Sequence, residues 1–344
     1  MTVRVLVVDD SPTMRAILMS RLSNEPDISV IGTAANAAEA RELIKQLDPD
    51  VVTLDIEMPG MNGLDFLEKL MQLRPTPVIV VSGSTEAGNR VTARALALGA
   101  VHCYAKCDRS GGLPLNDNGR LADLIREAAQ VRFGKRSATP TIPATKSSID
   151  ASKAKVIAIG SSTGGVEALQ VLLRNFGPDC PPTLVVQHVD ERFAPAIART
   201  LDQASGARVQ LAEPDLPLRR GHVYLAPGDR HLSLGGSRQL HAKLRKGELV
   251  SGHLPSVDVL FHSVARGLGP EAVGVLLTGM GADGAQGLLA MAQAGAPTIA
   301  QDESTSTVFG MPRAAIALGA ARAVLPLPRI ASALAGNRKA SHAA

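Results

Sequence analysis

The segment Val156-Ile157-Ala158-Ile159-Gly160-Ser161-Ser162-Thr163-Gly164-Gly165 decides the fold of the second half of this 344-residue chain. Its first five residues are apolar or small, which is typical of a strand that is buried on both faces of a parallel sheet. The serines, the threonine and the two glycines predict a tight turn. Apolar positions from Val166 to Phe176 then predict a helix. The segment is a strand–turn–helix unit, the building block of an α/β sheet.

The same alternation of strand and helix runs through the rest of the chain. Apolar strands are predicted on both sides of a central polar stretch, at 3–8, 29–33, 51–54, 77–81 and 100–105, and at 156–159, 184–187, 209–211, 273–278 and 298–300. Residues 219–249 differ, because three short segments there are separated by Pro-Gly, Gly-Gly and Lys-Gly turns, which predicts a β-hairpin region. The pattern predicts two doubly wound parallel-sheet α/β domains, the second with a β-hairpin insertion.

The polar stretch from Gly134 to Lys155 is rich in Ser, Thr, Ala, Pro and Lys and has no apolar periodicity. A long segment of this composition is more typical of a flexible linker between domains than of a loop inside one. We therefore predict a first domain over 1–133, a flexible basic linker over 134–154, a second domain over 155–337 and a tail over 338–344.

Composition and charge exclude several classes of protein. The formal net charge is +4, and the stretch from Gly134 to Lys155 accounts for it, with five basic residues against one acid. Because both domains are then nearly neutral, and because Trp is absent and Phe, Trp and Tyr make up 2% of residues, we expect no nucleic-acid partner. The three cysteines cannot form a disulfide framework, and no apolar run reaches the roughly 18 residues of a membrane span. We expect a cytoplasmic protein without direct membrane insertion.

Charged and polar residues follow the predicted strands of the first domain. Asp9 and Asp10 follow the first strand, Asp55 the third, Ser82 the fourth and Lys106 the fifth. Because the carboxyl ends of parallel strands meet at one edge of a sheet, we expect these side chains to form one pocket. Carboxylate oxygens suit Mg²⁺, and an ammonium and a hydroxyl near a carboxylate suit phosphoryl transfer onto it.

A competing interpretation is that the two adjacent acids only cap the helix that begins at Ser11-Pro12. The matching strand-end positions of the other three residues favour the pocket.

Residues 1–132 resemble a two-component receiver domain of flavodoxin-like fold, most clearly in Asp55-Ile56-Glu57-Met58-Pro59-Gly60-Met61-Asn62-Gly63. The resemblance implies that Asp55 accepts a phosphoryl group from a chemotaxis histidine kinase. It also implies that Asp9, Asp10, Asp55 and the backbone carbonyl of Glu57 surround Mg²⁺, while Ser82 and Lys106 contact the phosphoryl oxygens. Two positions depart from the family pattern. Cys107 replaces the usual proline, and Cys103 replaces the usual aromatic residue, whose switching role neighbouring Tyr104 is a candidate to take over.

Three residues of the second domain are candidates for nucleophilic catalysis. Ser162 follows the strand 156–160, His188 directly follows the strand 184–187, and Asp283 lies in the loop after the strand 273–278. A serine hydroxyl is a weak nucleophile until an imidazole takes its proton, and a carboxylate fixes the tautomer of that imidazole. The backbone N–H groups of Thr163 and Met280 are candidate donors to an oxyanion.

Other interpretations compete for these residues. Ser162 could be a helix N-cap in a glycine turn, and the second domain could bind a dinucleotide with Asp190 on the ribose. The turn has neither a Gly-Lys-Ser/Thr nor a G-x-G-x-x-G pattern, and Asp190 lies about 30 residues after Gly160 rather than the usual 20 or so. His253 either lines the cleft or caps the following helix, and capping is the favoured interpretation. The trio His102, Cys103 and Cys107 suggests zinc, but no second ligand pair at suitable spacing supports it.

Residues 155–337 resemble the catalytic domain of chemotaxis protein-glutamate methylesterases, a Rossmann-like α/β unit. The matching stretches are 160–165, 187–188, 254–261, 277–284, 300–303 and 310–312, and the family's Met-Pro after the histidine is replaced by Val189-Asp190. The resemblance implies hydrolysis of glutamate γ-methyl esters on the cytoplasmic helices of methylated chemoreceptors, with glutamine deamidation as a further possible activity. It implies activation by phosphorylation of the receiver and no cofactor for the esterase chemistry. The rival class is a receiver-controlled binding or transcription protein, against which stands the lack of a helix-turn-helix pattern.

Overall fold

The structure is a computed structural model that describes residues 2–58, 63–83, 86–106, 119–131 and 151–335. The chain divides into two compact units, Met1–Phe133 and Gly134–Ala344. Cys107, residues 134–150 of the predicted linker and the predicted tail lie outside the described residues. Within the described ranges, no helix combines the length and the apolar character needed to cross a bilayer.

The first unit is a parallel sheet with helices between its strands. Its elements are β1 (Val3–Val8), α1 (Pro12–Leu22), β2 (Ile28–Ala34), α2 (Ala37–Leu47), β3 (Val51–Asp55), α3 (Gly63–Leu73), β4 (Val78–Ser82), α4 (Glu86–Ala97), β5 (His102–Ala105) and α5 (Arg120–Ala128). The strands pair in the order β2-β1-β3-β4-β5, and every pair is parallel. This is the flavodoxin-like order, which confirms the fold predicted for this part of the chain.

The strands of this sheet are apolar because they are covered on both faces. All five residues of β3 and of β4 are buried, including the polar Thr53, Asp55 and Ser82. On α1, Met14, Leu18 and Leu22 are buried and form the apolar face of the helix. Burial of a leucine side chain contributes about 1.5–3 kcal/mol to folding. The polar residues in such strands are therefore exceptions that need a partner or a function.

A cluster of charges fastens α5 to the loop between α1 and β2. The Arg126 guanidinium donates to both carboxylate oxygens of Asp27 at 2.8 Å and to Glu25 Oε2 at 2.5 Å. The hydrogen bonds from Arg126 lower the pKa of Asp27 to about 2. Because the folded pKa is below the unfolded one, this pairing stabilises the fold above the ordinary aspartate pKa, and the stabilisation is lost as the pH falls towards 2.

Replacing Arg126 by Gln is expected to return the pKa of Asp27 from about 2 to the ordinary range near 3.9. An NMR titration of the side-chain carboxyl carbon measures this shift. Arg74→Gln is the matched control, because Arg74 pairs with the exposed Asp48 elsewhere in the unit. An Asp27 pKa that stays near 2 without Arg126 would show that the backbone, not the guanidinium, sets it.

The second unit contains a larger parallel sheet and one hairpin. Its strands are β6 (Val156–Ser161), β7 (Thr183–Gln187), β8 (Arg208–Leu211), β9 (His222–Leu225), β10 (His231–Gly235), β11 (His241–Arg245), β12 (Ala272–Leu276), β13 (Thr298–Gln301) and β14 (Ala323–Leu325). Its helices are α6 (Gly165–Leu173), α7 (Ala194–Ala204), α8 (Val257–Leu268), α9 (Ala285–Gln293), α10 (Met311–Ala317) and α11 (Leu327–Ala335). Seven strands pair in the order β14-β13-β12-β6-β7-β9-β8, all parallel.

The hairpin prediction was too broad. Only β10 and β11 form an antiparallel pair, whereas β9 lies in the parallel sheet between β7 and β8. The Pro-Gly turn after β9 resembled a hairpin turn, but Val223, Tyr224 and Leu225 are at most 1% exposed. Such a continuous buried run is typical of an interior parallel strand. The sequence pattern also missed β14 and α11 at the end of the unit.

The predicted linker extended too far towards the second domain. Residues Ala151–Lys153 form a short 3-10 helix, and Ala151 and Ala154 are buried in the second unit. Lys155 at the start of β6 pairs with Glu271 at 2.6 Å. Alanine in a Ser/Lys-rich stretch carries no periodic signal, so its burial could not be predicted from the pattern.

Candidate functional site

The carboxyl edge of the first sheet brings together the predicted acidic pocket. Asp9 follows β1, Asp55 ends β3, Ser82 ends β4 and Lys106 follows β5. The Lys106 Nζ lies 2.6 Å from Asp55 Oδ2 and 2.9 Å from Asp9 Oδ2, so one ammonium bridges the two carboxylates. The remaining oxygen of each acid accepts a backbone N–H, from Ser11 for Asp9 and from Glu57 for Asp55.

Burial and pairing oppose each other in this pocket. Burial raises the pKa of the Asp9 carboxyl, and the hydrogen bond from Lys106 only partly offsets it. For Lys106, burial acts to lower the pKa, but the hydrogen bonds to Asp55 and Asp9 outweigh it, so the pKa of the ammonium is raised. Lys106 is therefore a permanent positive charge beside Asp55, where a transferred phosphoryl group would place negative charge.

The acids of this pocket also fit a divalent cation. One oxygen from each of Asp9, Asp10 and Asp55 lies within 4.8 Å of the others, which is close enough for all three to contact one ion. An all-oxygen donor set with carboxylates suits a hard cation. Ser11 caps α1 with its side chain, accepting the Met14 N–H, so Asp10 is not needed for that cap.

Cys103 and Tyr104 lie next to this pocket on β5. Tyr104 is buried, and its hydroxyl bonds to the Arg21 guanidinium of α1. Because successive side chains of a strand point to opposite faces, Tyr104 lies on the α1 side and Cys103 on the other. Tyr104 is therefore not placed to replace the aromatic residue expected at Cys103. His102, which pairs with Glu127 of α5 at 2.9 Å, directly precedes Cys103 on the strand, so the two side chains point to opposite faces of the sheet and do not suit two ligands of one zinc ion.

In the second unit, strand register places Ser162 beside His188. Ser161 on β6 pairs with Gln187 on β7, and the His188 N–H continues the ladder to the Ser161 carbonyl at 3.0 Å. Ser162 and His188 are the next residues of these neighbouring strands, which lie about 4.8 Å apart. On the other side, the Ser162 N–H donates to the Thr278 carbonyl after β12 at 3.0 Å. Ser162 is thus held between two strands at the carboxyl edge of the sheet.

Gln187 is a structural partner of this pair that the sequence pattern missed. Its Nε2 donates to the carbonyls of Ser162 at 2.9 Å and His188 at 3.0 Å, and its Oε1 accepts the Ser161 hydroxyl at 2.7 Å. Ser161 therefore faces the interior, while Ser162 is the serine at the site. The sequence did contain a signal for this role, because a glutamine that ends an apolar strand needs hydrogen-bond partners when it is buried.

Gly165 is required next to Gln187. An added Cβ at this position would lie 2.1 Å from Gln187 Oε1 and 2.7 Å from Ser161 Cβ. Gly165→Ala is expected to lower the free energy of unfolding of the second unit by about 1–3 kcal/mol, the usual cost of overpacking, and to slow fluorophosphonate labelling. Chemical denaturation measures the first effect. Gly247→Ala is the control, because its nearest contact would be an ordinary 3.5 Å; equal losses in both variants would contradict this packing role.

Asp283 lies at the amino end of α8 and binds His188. The His188 Nε2 is 2.8 Å from Asp283 Oδ2. Four groups in total donate to this carboxylate, the others being the Ser256 hydroxyl and the backbone N–H groups of Val257 and Asp258 at 2.7–3.0 Å. Ser256 lies in the stretch 254–261 that resembles the methylesterase family, but the sequence pattern predicts no role for it. The Asp283 carboxylate therefore accepts its full set of hydrogen bonds. Because it only accepts, it selects the His188 tautomer with the proton on Nε2.

The pKa values of two buried acids shift in opposite directions because their hydrogen-bond donors differ. Burial acts to raise the pKa of Asp283, but the hydrogen bond from His188 and the N–H groups of α8 outweigh it, and the pKa is lowered. Burial raises the pKa of Asp258, which its bonds from Gly287 and Ser251 only partly offset. Asp283 is therefore the acid that stays ionised beside the imidazole.

Two peptide groups next to Ser162 have fixed directions. The Ser162 carbonyl accepts from Gln187 and from the Gly165 N–H, and the Gly279 carbonyl accepts the N–H groups of Gly310 and Met311 at 3.1 and 2.8 Å. In a trans peptide the next N–H points opposite to the carbonyl. The N–H groups of Thr163 and Met280 therefore point away from the groups that donate to the Ser162 and Gly279 carbonyls. A Cβ on Gly279 would lie 2.7 Å from Ser162 Cβ, which shows that this backbone passes against the serine.

His253 does not cap a helix, contrary to the expectation from the sequence. Ser256 is the N-cap of α8, and the His253 ring stacks on the His188 ring, with centroids 3.8 Å apart and planes 9° apart.

The dinucleotide alternative also loses support, because the Asp190 carboxylate is bound by the Arg192 guanidinium at 2.8 and 2.9 Å.

Fold and site together define a two-unit α/β protein: a receiver-type carboxylate pocket, then a unit with a hydroxyl, an imidazole and a carboxylate at one sheet edge. Family models match both units, the response regulator receiver domain over residues 5–112 and the CheB methylesterase over 157–334. The chain belongs to the CheB methylesterase family.

Curated relatives match nearly the whole chain. A "Protein-glutamate methylesterase/protein-glutamine glutaminase 1" from Caulobacter vibrioides is 50% identical over 92% of this chain and 93% of the relative. A protein of the same name, without the number, from Rhizobium etli is 50% identical over 95% of this chain and 94% of the relative. The crystal structure of the Thermotoga maritima CheB methylesterase catalytic domain is 36% identical, with a TM-score of 0.52 over 53% of this chain and 97% of that structure.

Proposed function

We propose that this chain hydrolyses glutamate γ-methyl esters on the cytoplasmic helices of chemoreceptors, and that it acts in the cytoplasm. The observation that carries the proposal is the His188–Asp283 pair at 2.8 Å, placed by strand register beside Ser162. The names of the curated relatives support the reaction, including deamidation of glutamine side chains as a second activity.

The proposed reaction begins with proton transfer from Ser162. Because Nε2 of His188 is bound to Asp283, the base is Nδ1. The Ser162 Oγ attacks the ester carbonyl as Nδ1 takes its proton, and the N–H groups of Thr163 and Met280 stabilise the oxyanion. The C–O bond to the methoxy group breaks, and His188 returns the proton to release methanol. Water then attacks the acyl-enzyme with His188 as base, which yields the glutamate carboxylate and restores Ser162.

The negative charge of Asp283 supports this proton transfer. As His188 becomes positively charged, the ionised carboxylate 2.8 Å away stabilises the imidazolium. The lowered pKa of Asp283 keeps it ionised throughout the pH range in which histidine acts as a base. The esterase step in this proposal uses only side chains and backbone groups of the chain itself.

In the first unit we propose that Asp55 accepts a phosphoryl group from a histidine kinase and that this activates the esterase. Asp9, Asp10, Asp55 and the Glu57 carbonyl would hold Mg²⁺, which would neutralise charge on the phosphoryl oxygens when bound. Lys106, 2.6 Å from Asp55, and the Ser82 hydroxyl at the end of β4 are the proposed phosphoryl contacts.

The direct test of the function is methanol release from a methylated receptor, with and without a small-molecule phosphodonor. Release that needs this protein and rises with the phosphodonor is the expected result. A protein that binds the receptor but releases no methanol under either condition would favour the rival class of non-catalytic receiver-controlled proteins.

Asp55→Asn is expected to abolish the increase in methanol release caused by the phosphodonor while leaving the basal rate in place. The physical reason is that the amide offers no carboxylate oxygen for the new P–O bond. Asp48→Asn is the matched control, because Asp48 is an exposed acid of the same unit that pairs with Arg74. Full stimulation of the Asp55→Asn variant would place the phosphorylation elsewhere.

A further inference from the structure

The stacked rings of His188 and His253 lie outside the proposed proton-transfer scheme. Their centroids are 3.8 Å apart and their planes differ by 9°, so the two imidazoles are in face-to-face contact. One nitrogen of each ring and an Asp283 oxygen also lie within 4.8 Å of one another. Two interpretations fit such a cluster. Either the three side chains bind a metal ion, or one imidazole ring holds the other in place.

The geometry of the rings disfavours the metal. The lone pair of an imidazole nitrogen lies in the plane of its ring, and zinc binds at about 2.0–2.1 Å along that direction. Two nearly parallel rings stacked face to face, with centroids 3.8 Å apart, cannot both direct an in-plane lone pair at one ion. Asp283 already accepts four hydrogen bonds, including one from His188. A cation at this position would have to break both the His188–His253 stack and the His188–Asp283 hydrogen bond.

The turn that carries His253 is fastened to the helices around Asp283. Val250 and His253 exchange two backbone hydrogen bonds at 3.1 and 3.0 Å, and the ring Nδ1 lies 2.9 Å from the Ser251 carbonyl. Because a carbonyl only accepts, Nδ1 of His253 carries a proton. The Ser251 hydroxyl donates to Asp258 Oδ2 at 2.8 Å. Asp258 in turn accepts the Gly287 N–H of α9 at 2.7 Å and donates its own N–H to Asp283.

The turn that carries His253 and the carboxylate of Asp283 are thus joined by one set of hydrogen bonds through Asp258. The hydrogen bond to Asp283 fixes one nitrogen of the His188 ring but does not itself oppose rotation of the ring plane about that bond. A second ring stacked on its face stops this rotation, because turning the His188 plane would drive it into His253. The hydrogen bond and the stacked ring together hold the plane of His188, and with it the direction of Nδ1, and both are anchored at α8.

We propose that His253 is a positioning residue, which keeps the His188 imidazole turned towards Ser162 by stacking on its face. The inference rests on the proposed function, since it gives a role to His253 in the same proton transfer. His253 itself exchanges no proton with the substrate in this scheme. What it supplies is an aromatic face at 3.8 Å.

Three full-length variants test the proposal through kcat and KM for methanol release from methylated receptor. His253→Ala removes the stacked ring and is expected to lower kcat about 10–100-fold, the usual cost of misplacing a catalytic group, while KM changes less than about threefold. His253→Phe keeps an aromatic face without ring nitrogens and is expected to restore kcat to within about fivefold of the parent, because stacking needs only the face. Ser251→Ala loosens the turn and is expected to lower kcat several-fold.

The matched control is His222→Ala. His222 lies at the opposite, amino end of the sheet and contacts the Tyr224 ring with centroids 6.1 Å apart, so its loss removes a histidine ring contact without touching His188. A spectroscopic measurement separates positioning from general packing. The low-field proton resonance of the His188–Asp283 hydrogen bond is expected to broaden in His253→Ala and to stay sharp in His253→Phe and His222→Ala.

Each outcome decides a different point. A kcat of His253→Ala within twofold of the parent would overturn the proposal, and so would a His253→Phe variant as slow as His253→Ala, which would assign the effect to a ring nitrogen. If His253→Ala does not fold, the comparison of His253→Phe with Ser251→Ala carries the test. Absence of methanol release and of fluorophosphonate labelling in the parent protein would instead refute the proposed function.

Discussion

Ser162→Ala loses fluorophosphonate labelling, and its methanol release falls by about 10⁶-fold, the effect of removing the nucleophile from a serine hydrolase. The structure explains why no neighbouring group replaces it. Ser161 is fully buried, and its hydroxyl is bonded to Gln187 at 2.7 Å. Ser162, in contrast, follows the end of β6 next to His188.

The adjacent serine supplies the matched control for this prediction. Ser161→Ala removes the same atom one residue earlier and is expected to keep its labelling, because the hydroxyl that it removes faces the interior. Mass spectrometry of the labelled peptide locates the modified residue. A label on Ser161, or methanol release that survives in Ser162→Ala, would remove the basis of the proposed mechanism.

Asp283→Asn is expected to lower kcat about 10⁴-fold, as the same change does in other serine hydrolases of this mechanism. Four donors surround the carboxylate: His188, the Ser256 hydroxyl, and the N–H groups of Val257 and Asp258. An amide has one oxygen and a donating NH₂ group, so it cannot accept from all four. If the NH₂ group faces His188, Nε2 must accept, the proton moves to Nδ1, and Nδ1, the proposed base for Ser162, can no longer accept a proton.

The rate of methanol release under saturating receptor measures this effect, and Asp215→Asn is the control because its carboxylate is highly exposed. Acid unfolding provides a second measurement. Since the folded pKa of Asp283 is lowered, its carboxylate stabilises the fold above the ordinary aspartate pKa, and the stabilisation disappears as the pH falls through the folded value. In Asp283→Asn, the free energy of unfolding should lack this part of its dependence on pH. A kcat within tenfold of the parent would contradict the assigned role.

Much of the architecture could be predicted because it depends on local patterns. Continuous apolar strands and amphipathic helices predicted two parallel sheets, and all ten strands predicted with them are present. The prediction failed where two structures share a local pattern. The segment 222–225 with its Pro-Gly turn fits a hairpin as well as an interior strand, and only its neighbours β7 and β8 decide between them.

The amino-acid sequence by itself determined which residues end the strands, and so which side chains could meet: Asp9, Asp55 and Lys106 at one sheet edge, and Ser162 and His188 at the other unit's edge. It did so because strand ends follow from local patterns and parallel strands all end at one edge. Tertiary structure alone decided which nitrogen of His188 binds Asp283, that Gln187 clamps the two strand ends, and that His253 stacks on His188. These contacts join residues 25 to 95 positions apart, and their geometry depends on packing angles that no local pattern contains.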